Sequence, residues 1–163
     1  VKEMNDKVKE LNLGQTHFSN PVGLDDPGNF TTAKDLGKLA AVALNNKILA
    51  KIVATRAITV SDISFSYYHD LRNVNELVGS VAGVAGVKTG YTEYAGEILV
   101  SEVKKHDRSV LFVIMKSQNR FGETKALINW VFDNFRWVDI TQITPIPKSP
   151  AGTESALPQY QSR

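Results

Sequence analysis

The sequence predicts an α+β fold: an antiparallel sheet flanked by helices. Three observations carry that expectation. Apolar residues at helical spacing fill the first third, strand signals cluster between 84 and 117, and a broad apolar stripe at helical spacing follows them. The length of 163 residues, 42% hydrophobic and 22% charged, suits one domain with a buried core.

Val1, Met4, Val8 and Leu11 recur at helical spacing, so 1–12 reads as an amphipathic helix that Gly14 stops. Residues 15–30 are dense in Asn, Asp, Pro and Gly and read as loop. Thr31 or Thr32 caps a second helix, with Leu36, Leu39, Ala40, Ala43 and Leu44 on its buried side. Asn45-Asn46 breaks it, and 47–54 forms a short third helix. Residues 57–69 mix β-branched and aromatic side chains, which favours extended structure, and 71–79 reads as loop. Strands are expected at 84–91, 95–104 and 109–117, the last two joined as a hairpin through Lys105-His106-Asp107-Arg108. On the final helix, about 122–135, Leu127, Trp130 and Val131 are joined by Ile128, Phe132 and Phe135, a stripe wide enough to be mostly covered, with Trp130 and Phe132 facing the core. From Thr141 the chain turns rich in Pro, Ser, Thr and Gln, which sets a domain at 1–140 and a flexible Pro/Ser-rich tail at 141–163.

Composition excludes several functions. The net charge is +2, from 19 basic against 17 acidic residues, and gives no case for nucleic acid. No apolar run is long enough to span a membrane. The polar start reads as helix already under way and not as an export signal, which suggests an internal cut. Cysteine is absent, so disulfides and thiolate metal sites are out. His17, His69 and His106 lack metal-ligand spacing, and no metal or cofactor is expected. His17 reads as a structural loop residue and His106 as part of a hairpin turn. Asp25-Asp26 precedes Pro27-Gly28 and reads as a turn, not as an acid–base pair.

The stretch GVAGVKTGYTEYAG at 83–96 carries the chemistry. A solvated lysine and a strand-forming threonine would explain Lys88 and Thr89, but Gly83, Gly86 and Gly90 argue that something approaches closely, because glycine weakens a strand. Two other motifs are decoys. Ser101-Glu102-Val103-Lys104 spells Ser-x-x-Lys, yet on a strand residues three apart face opposite ways, so Lys104 cannot activate Ser101. Ser117-Gln118-Asn119 spells Ser-x-Asn after the last strand, where a strand-ending turn is the simpler reading.

Several motifs occur in one order: Met4-Asn5, Thr16-His17-Phe18, Asn20-Pro21-Val22-Gly23-Leu24, Asn29 to Leu36, Asn73-Val74-Asn75-Glu76-Leu77, Gly86 to Thr92, Ala95-Gly96, and Arg120 ahead of Trp130-Val131-Phe132. In these the chain resembles the serine-type D-alanyl-D-alanine carboxypeptidases, the low-molecular-mass penicillin-binding proteins of peptidase family S11. The resemblance implies part of a β-lactamase/transpeptidase-like fold and a substrate-binding wall made by Lys88, Thr89, Gly90 and Arg120. It implies a peptidoglycan stem peptide ending in D-Ala-D-Ala as substrate, β-lactam antibiotics as ligands of the complete protein, and an extracytoplasmic location. The family's Ser-x-x-Lys nucleophile and Ser-x-Asn motif are absent from their positions, so the catalytic serine is expected upstream of Val1, in a missing N-terminal portion of the same domain. That portion is also expected to cover the outer edge of the last strand, leaving this segment alone marginal or self-associating. A non-catalytic module binding cell-wall peptide or a partner, and a fragment of a class A β-lactamase, are the alternative readings; the Asn20–Leu24 and Asn73–Asn75 stretches favour the carboxypeptidase over the latter.

Overall fold

A computed structural model describes residues 1–138. Three helices come first, α1 (Lys2–Glu10), α2 (Ala33–Leu44) and α3 (Lys47–Ala54). A hairpin of β1 (Ala57–Ser61) and β2 (Tyr68–Arg72) follows, then a meander of β3 (Val84–Thr92), β4 (Gly96–Lys105) and β5 (Arg108–Ser117), and finally α4 (Arg120–Asn134). The meander is antiparallel in the order β3-β4-β5, which leaves β3 and β5 as its two edges.

Strand register sets the layers. Leu99, Ser101 and Val103 pair with Ile114, Phe112 and Val110, so these six share one face. Val100 and Glu102 pair with Val113 and Leu111 on the other. Helix α4 covers the first face, where Leu77, Val84, Leu99, Val103, Phe112 and Ile128 form the core. Helix α2 covers the second, with Val113 Cγ2 3.6 Å from where a Cβ on Gly37 would stand. Helix α3 lies against β3. Full burial of Leu77, Leu99 and Val103 contributes on the order of 2 kcal/mol each through the hydrophobic effect.

Short polar side chains start the helices as expected. Thr32 accepts from the Asp35 N–H at 3.2 Å, and the Asn46 side chain accepts from Ile48 and Leu49. Asn119 accepts from Gly122 at 2.9 Å and opens α4. Each such cap is worth about 1 kcal/mol.

Two expectations fail. The extended structure expected over 57–69 is a hairpin, and its second strand takes in Leu71 and Arg72, read from sequence as loop. Its connection carries neither Gly nor Pro; instead the Asp62 carboxylate accepts from the N–H groups of Ser66 and Tyr67, both at 2.8 Å, and from the Ser64 hydroxyl. These bonds, the Ser64 hydroxyl foremost and the Tyr67 N–H next, hold the Asp62 pKa below the ordinary aspartate value. Helix α4 is also less covered than its apolar content suggested. Only Thr124 and Ile128 are buried, and Trp130 is 53% exposed, its ring edge-on to Phe135. Two residues beyond Ile128 a helix has turned through about 200°, so a sheet that buries Ile128 cannot also bury Trp130. Phe132 does pack against the core.

The tail assigned to 141–163, and the boundary at 140, lie outside the described residues. Among the described residues no helix is long and apolar enough to cross a membrane, and no strand pairs with the outer edge of β5.

Candidate active site

The site is built on β3. The three glycines around Lys88 have different causes. Gly83 takes a φ of +85°, and a Cβ there would collide with the Lys104 carbonyl oxygen. Gly86 takes a φ of +112°, with the Val53 carbonyl oxygen 2.9 Å from where its Cβ would be. Both are therefore required by the protein's own backbone. Gly90 is different: its φ is ordinary, and the nearest atom to a built Cβ is Ile98 Cβ at 3.8 Å. Nothing inside the fold demands glycine at 90.

Lys88 is exposed, its ammonium donating to the Thr89 carbonyl, and no carboxylate among the described residues forms an ion pair with it. Its charge is free for an anionic ligand. Lys88 lies opposite Val100 and Thr89 opposite Leu99, so the two side chains leave β3 on opposite faces. A ligand that touches both must straddle the free edge of the strand.

Arg120 reaches the same strand from the first turn of α4. Its Nη1 donates to the Gly90 carbonyl at 2.8 Å, its backbone N–H donates to Glu97 Oε2 at 2.9 Å, and its guanidinium lies 4.9 Å from the Phe121 ring centroid. Its Nε is buried without a partner. Three of the four residues expected from sequence thus run from the middle of β3 towards its end, and Arg120 is bound to Gly90 directly.

The decoys are accounted for. Ser101 is fully buried beneath α4, while Lys104 points away and pairs with Glu102 at 3.0 Å. The Ser117 hydroxyl donates to Glu123 Oε1 at 2.7 Å and accepts from the Asn119 N–H, so Ser117-Gln118-Asn119 is the start of α4. The His17 ring stacks on Phe30 and contacts the Gly28 carbonyl, His69 stands exposed across from Val60, and His106 turns the β4–β5 connection with a φ of 52°. Asp26 accepts from the Gly28 N–H within its turn. No group of three or more metal-ligating side chains occurs among the described residues.

Sequence reasoning missed the residues that brace the site. Asn73 donates through Nδ2 to the carbonyls of Val53 and Thr55, at 2.9 and 3.0 Å, and accepts from the Asn75 N–H. Asn75, buried, donates to the Gly86 carbonyl at 3.2 Å and accepts from the Leu77 N–H. Asn-x-Asn ahead of a buried Leu was visible in the sequence, but nothing local said that its partners lie 11 and 20 residues away. Farther off, Asn5 bonds both backbone groups of Phe18, and buried Asp35 accepts from Gln15 N–H and the Thr16 hydroxyl.

The sequence profile of the D-alanyl-D-alanine carboxypeptidases, peptidase family S11, matches residues 1–119. The chain is 30% identical over 138 residues to the D-alanyl-D-alanine carboxypeptidase DacF of Bacillus subtilis, covering 83% of this chain and 35% of that protein. It is 27% identical to the D-alanyl-D-alanine carboxypeptidase of Streptomyces strain K15, covering 81% of this chain and 48% of that one. The crystal structure of the Streptomyces K15 DD-transpeptidase superposes with a TM-score of 0.75 at 27% identity, over 81% of this chain and 53% of that chain. The D-alanyl-D-alanine carboxypeptidase of Mycobacterium tuberculosis superposes with a TM-score of 0.72 at 27% identity, over 82% of this chain and 53% of that one. The chain spans between about a third and a half of the length of the curated relatives it matches. A profile match over residues 1–119, together with a shared fold, makes this chain a member of the S11 family of D-alanyl-D-alanine carboxypeptidases.

Proposed function

We propose that this chain supplies the substrate-binding wall of a serine-type D-Ala-D-Ala carboxypeptidase acting on peptidoglycan stem peptides outside the cytoplasmic membrane. The observation that carries the proposal is Gly90: a glycine without internal cause, on an open strand edge, between an unpaired lysine and an arginine. An extended peptide lies along the free edge of β3 and pairs with its backbone. The Lys88 ammonium attracts the terminal carboxylate, the Thr89 hydroxyl donates to it from the other face, and Gly90 leaves room for the peptide backbone. Arg120 Nη2, on a guanidinium steadied by the Gly90 carbonyl and the Phe121 ring, completes the carboxylate site.

The nucleophile belongs to polypeptide outside this chain. Ser101 is sealed in the core and Ser117 is committed to a helix start, so neither motif-like serine can be acylated. In the complete enzyme a serine activated by a lysine attacks the peptide carbonyl, D-alanine leaves, and water releases the acyl-enzyme. β-Lactams would acylate the same serine. A fluorescent penicillin should label a protein extended upstream by the remainder of the domain and leave the 163-residue chain unlabelled. Covalent labelling of this chain alone would overturn the assignment.

A second reading, a binding module without turnover, rests on the full burial of Ser101, the serine of the Ser-x-x-Lys at 101–104. Binding of a D-Ala-D-Ala peptide by the extended protein, with no release of D-alanine, would select it.

A further inference from the structure

We propose that Asn75 is a positioning residue for the Lys88–Thr89 wall. It acts by holding the Gly86 carbonyl, so that the site is set by a side-chain clamp and not by sheet pairing alone. The proposal rests on the peptide-binding reading of β3 given above.

Sheet pairing holds Lys88 from one side only. β3 is an edge strand with one neighbour; its pairs with β4 run unbroken from Val87 to Thr92, but the register shifts between Val84 and Val87, immediately before the lysine. Such an irregularity bends the strand and interrupts its ladder, so the segment that leads into Lys88 depends on contacts from elsewhere. Three contacts converge there. The Asn75 Nδ2 donates to the Gly86 carbonyl at 3.2 Å, inside the irregular segment. Gly86 is pressed against the Val53 carbonyl at the end of α3, close enough that no side chain fits. Asn73 holds that end of α3 by bonding the carbonyls of Val53 and Thr55, and it accepts from the Asn75 N–H. The two asparagines therefore join the last turn of α3 to the entrance of β3. On the far side of Lys88 and Thr89, Arg120 holds the Gly90 carbonyl at 2.8 Å. The two residues that face a ligand sit between two backbone carbonyls, each gripped by a side chain from another part of the chain.

Asn75 is 3% exposed, too deep to meet a ligand, so its influence passes through β3. Asn75→Asp is the informative change. It keeps the oxygen that accepts from Leu77 and replaces the donor with a carboxylate facing the Gly86 carbonyl. The control is Asn5→Ala, which removes an equally paired asparagine from α1, whose two bonds go to Phe18 and not to β3.

Two readouts on the protein extended upstream by the remainder of the domain separate this proposal from the one beneath it. The first is amide hydrogen exchange, which needs no ligand. N75D should speed exchange across 87–90 by about tenfold while Phe112 in β5 keeps its protection, and N5A should leave 87–90 unchanged. The second is calorimetric titration with a D-Ala-D-Ala peptide, where N75D should lose about tenfold in affinity and N5A less than twofold at matched loss of thermal stability. Uniform acceleration of exchange throughout the sheet, or equal loss of affinity in both variants, would overturn the positioning role. Wild-type protein that binds no peptide while N75D still loosens 87–90 would sink the substrate reading and leave the clamp standing. If N75D does not fold, Asn73→Ser removes the α3 half of the clamp and must loosen the same four residues.

Discussion

Lys88 and Thr89 are neighbours that face opposite ways, and this constrains any ligand more than either residue does alone. A carboxylate met by both would have to sit over the strand edge, where the Lys88 charge would carry most of the attraction, because no carboxylate among the described residues pairs with it. Lys88→Ala should weaken D-Ala-D-Ala peptide binding by about tenfold to a hundredfold, the range of a charge-assisted hydrogen bond, without shifting the melting temperature. Calorimetry beside a thermal melt checks both halves of that statement. Asp62 gives a prediction of another kind. Its pKa is depressed in the folded hairpin by the Ser64 hydroxyl and the Tyr67 and Ser66 N–H groups, so the ionised form favours the native loop. That contribution is complete above the ordinary aspartate range and is lost as pH falls through the depressed value. An NMR titration should show the Ser66 and Tyr67 amides moving in step with Asp62, with a midpoint below that of an unstructured aspartate. A midpoint at the ordinary value would mean that the loop is not held by its carboxylate.

Helix α4 shows how one cap serves both stability and site. Asn119 fixes the first turn, Ser117 and Glu123 tie it to β5, and the next residue is Arg120, already directed at Gly90. Asn119→Ala should lower stability by about 1 kcal/mol, read by urea denaturation, and should weaken peptide binding more than an equal loss placed at Thr32. The meander was legible in the sequence because apolar runs on either side of the polar link Lys105-His106-Asp107-Arg108 mark a hairpin, although Lys105 and Arg108 themselves pair as strand residues. The hairpin β1–β2 was not, because its turn is made by Asp62 reaching back to N–H groups four and five residues ahead, with no Gly or Pro to announce it. Trp130 was misread for a related reason: hydrophobicity marks a helix stripe, but only the partner surface decides which part of the stripe is covered. At the site the triplet Lys88-Thr89-Gly90 was plain. The bond from Arg120 to a carbonyl 30 residues away was not, since a backbone acceptor has no sequence signature.

Among the described residues the main sheet ends at β5. β5 carries Leu111, Phe112, Val113, Ile114 and Met115 in succession, covered on one face by α4 and on the other by α2, yet its backbone edge meets no strand among the described residues. Unpaired edges with apolar flanks recruit other chains. Light scattering on the isolated 163-residue chain should therefore give a mass above the monomer's 18.0 kDa, increasing with concentration. Supplying the remainder of the domain should return one copy per particle. A concentration-independent monomer would show that the edge is already protected.

The asparagine bonds have a consequence for how this lineage ages. Asn5, Asn29, Asn73 and Asn75, which stand in the stretches that look most like the carboxypeptidases, all spend their amides on holding loops and strands together. Selection for folding alone would preserve every one of them. A descendant that had abandoned hydrolysis would still wear its ancestors' features, and kinship in this group would outlive the trade.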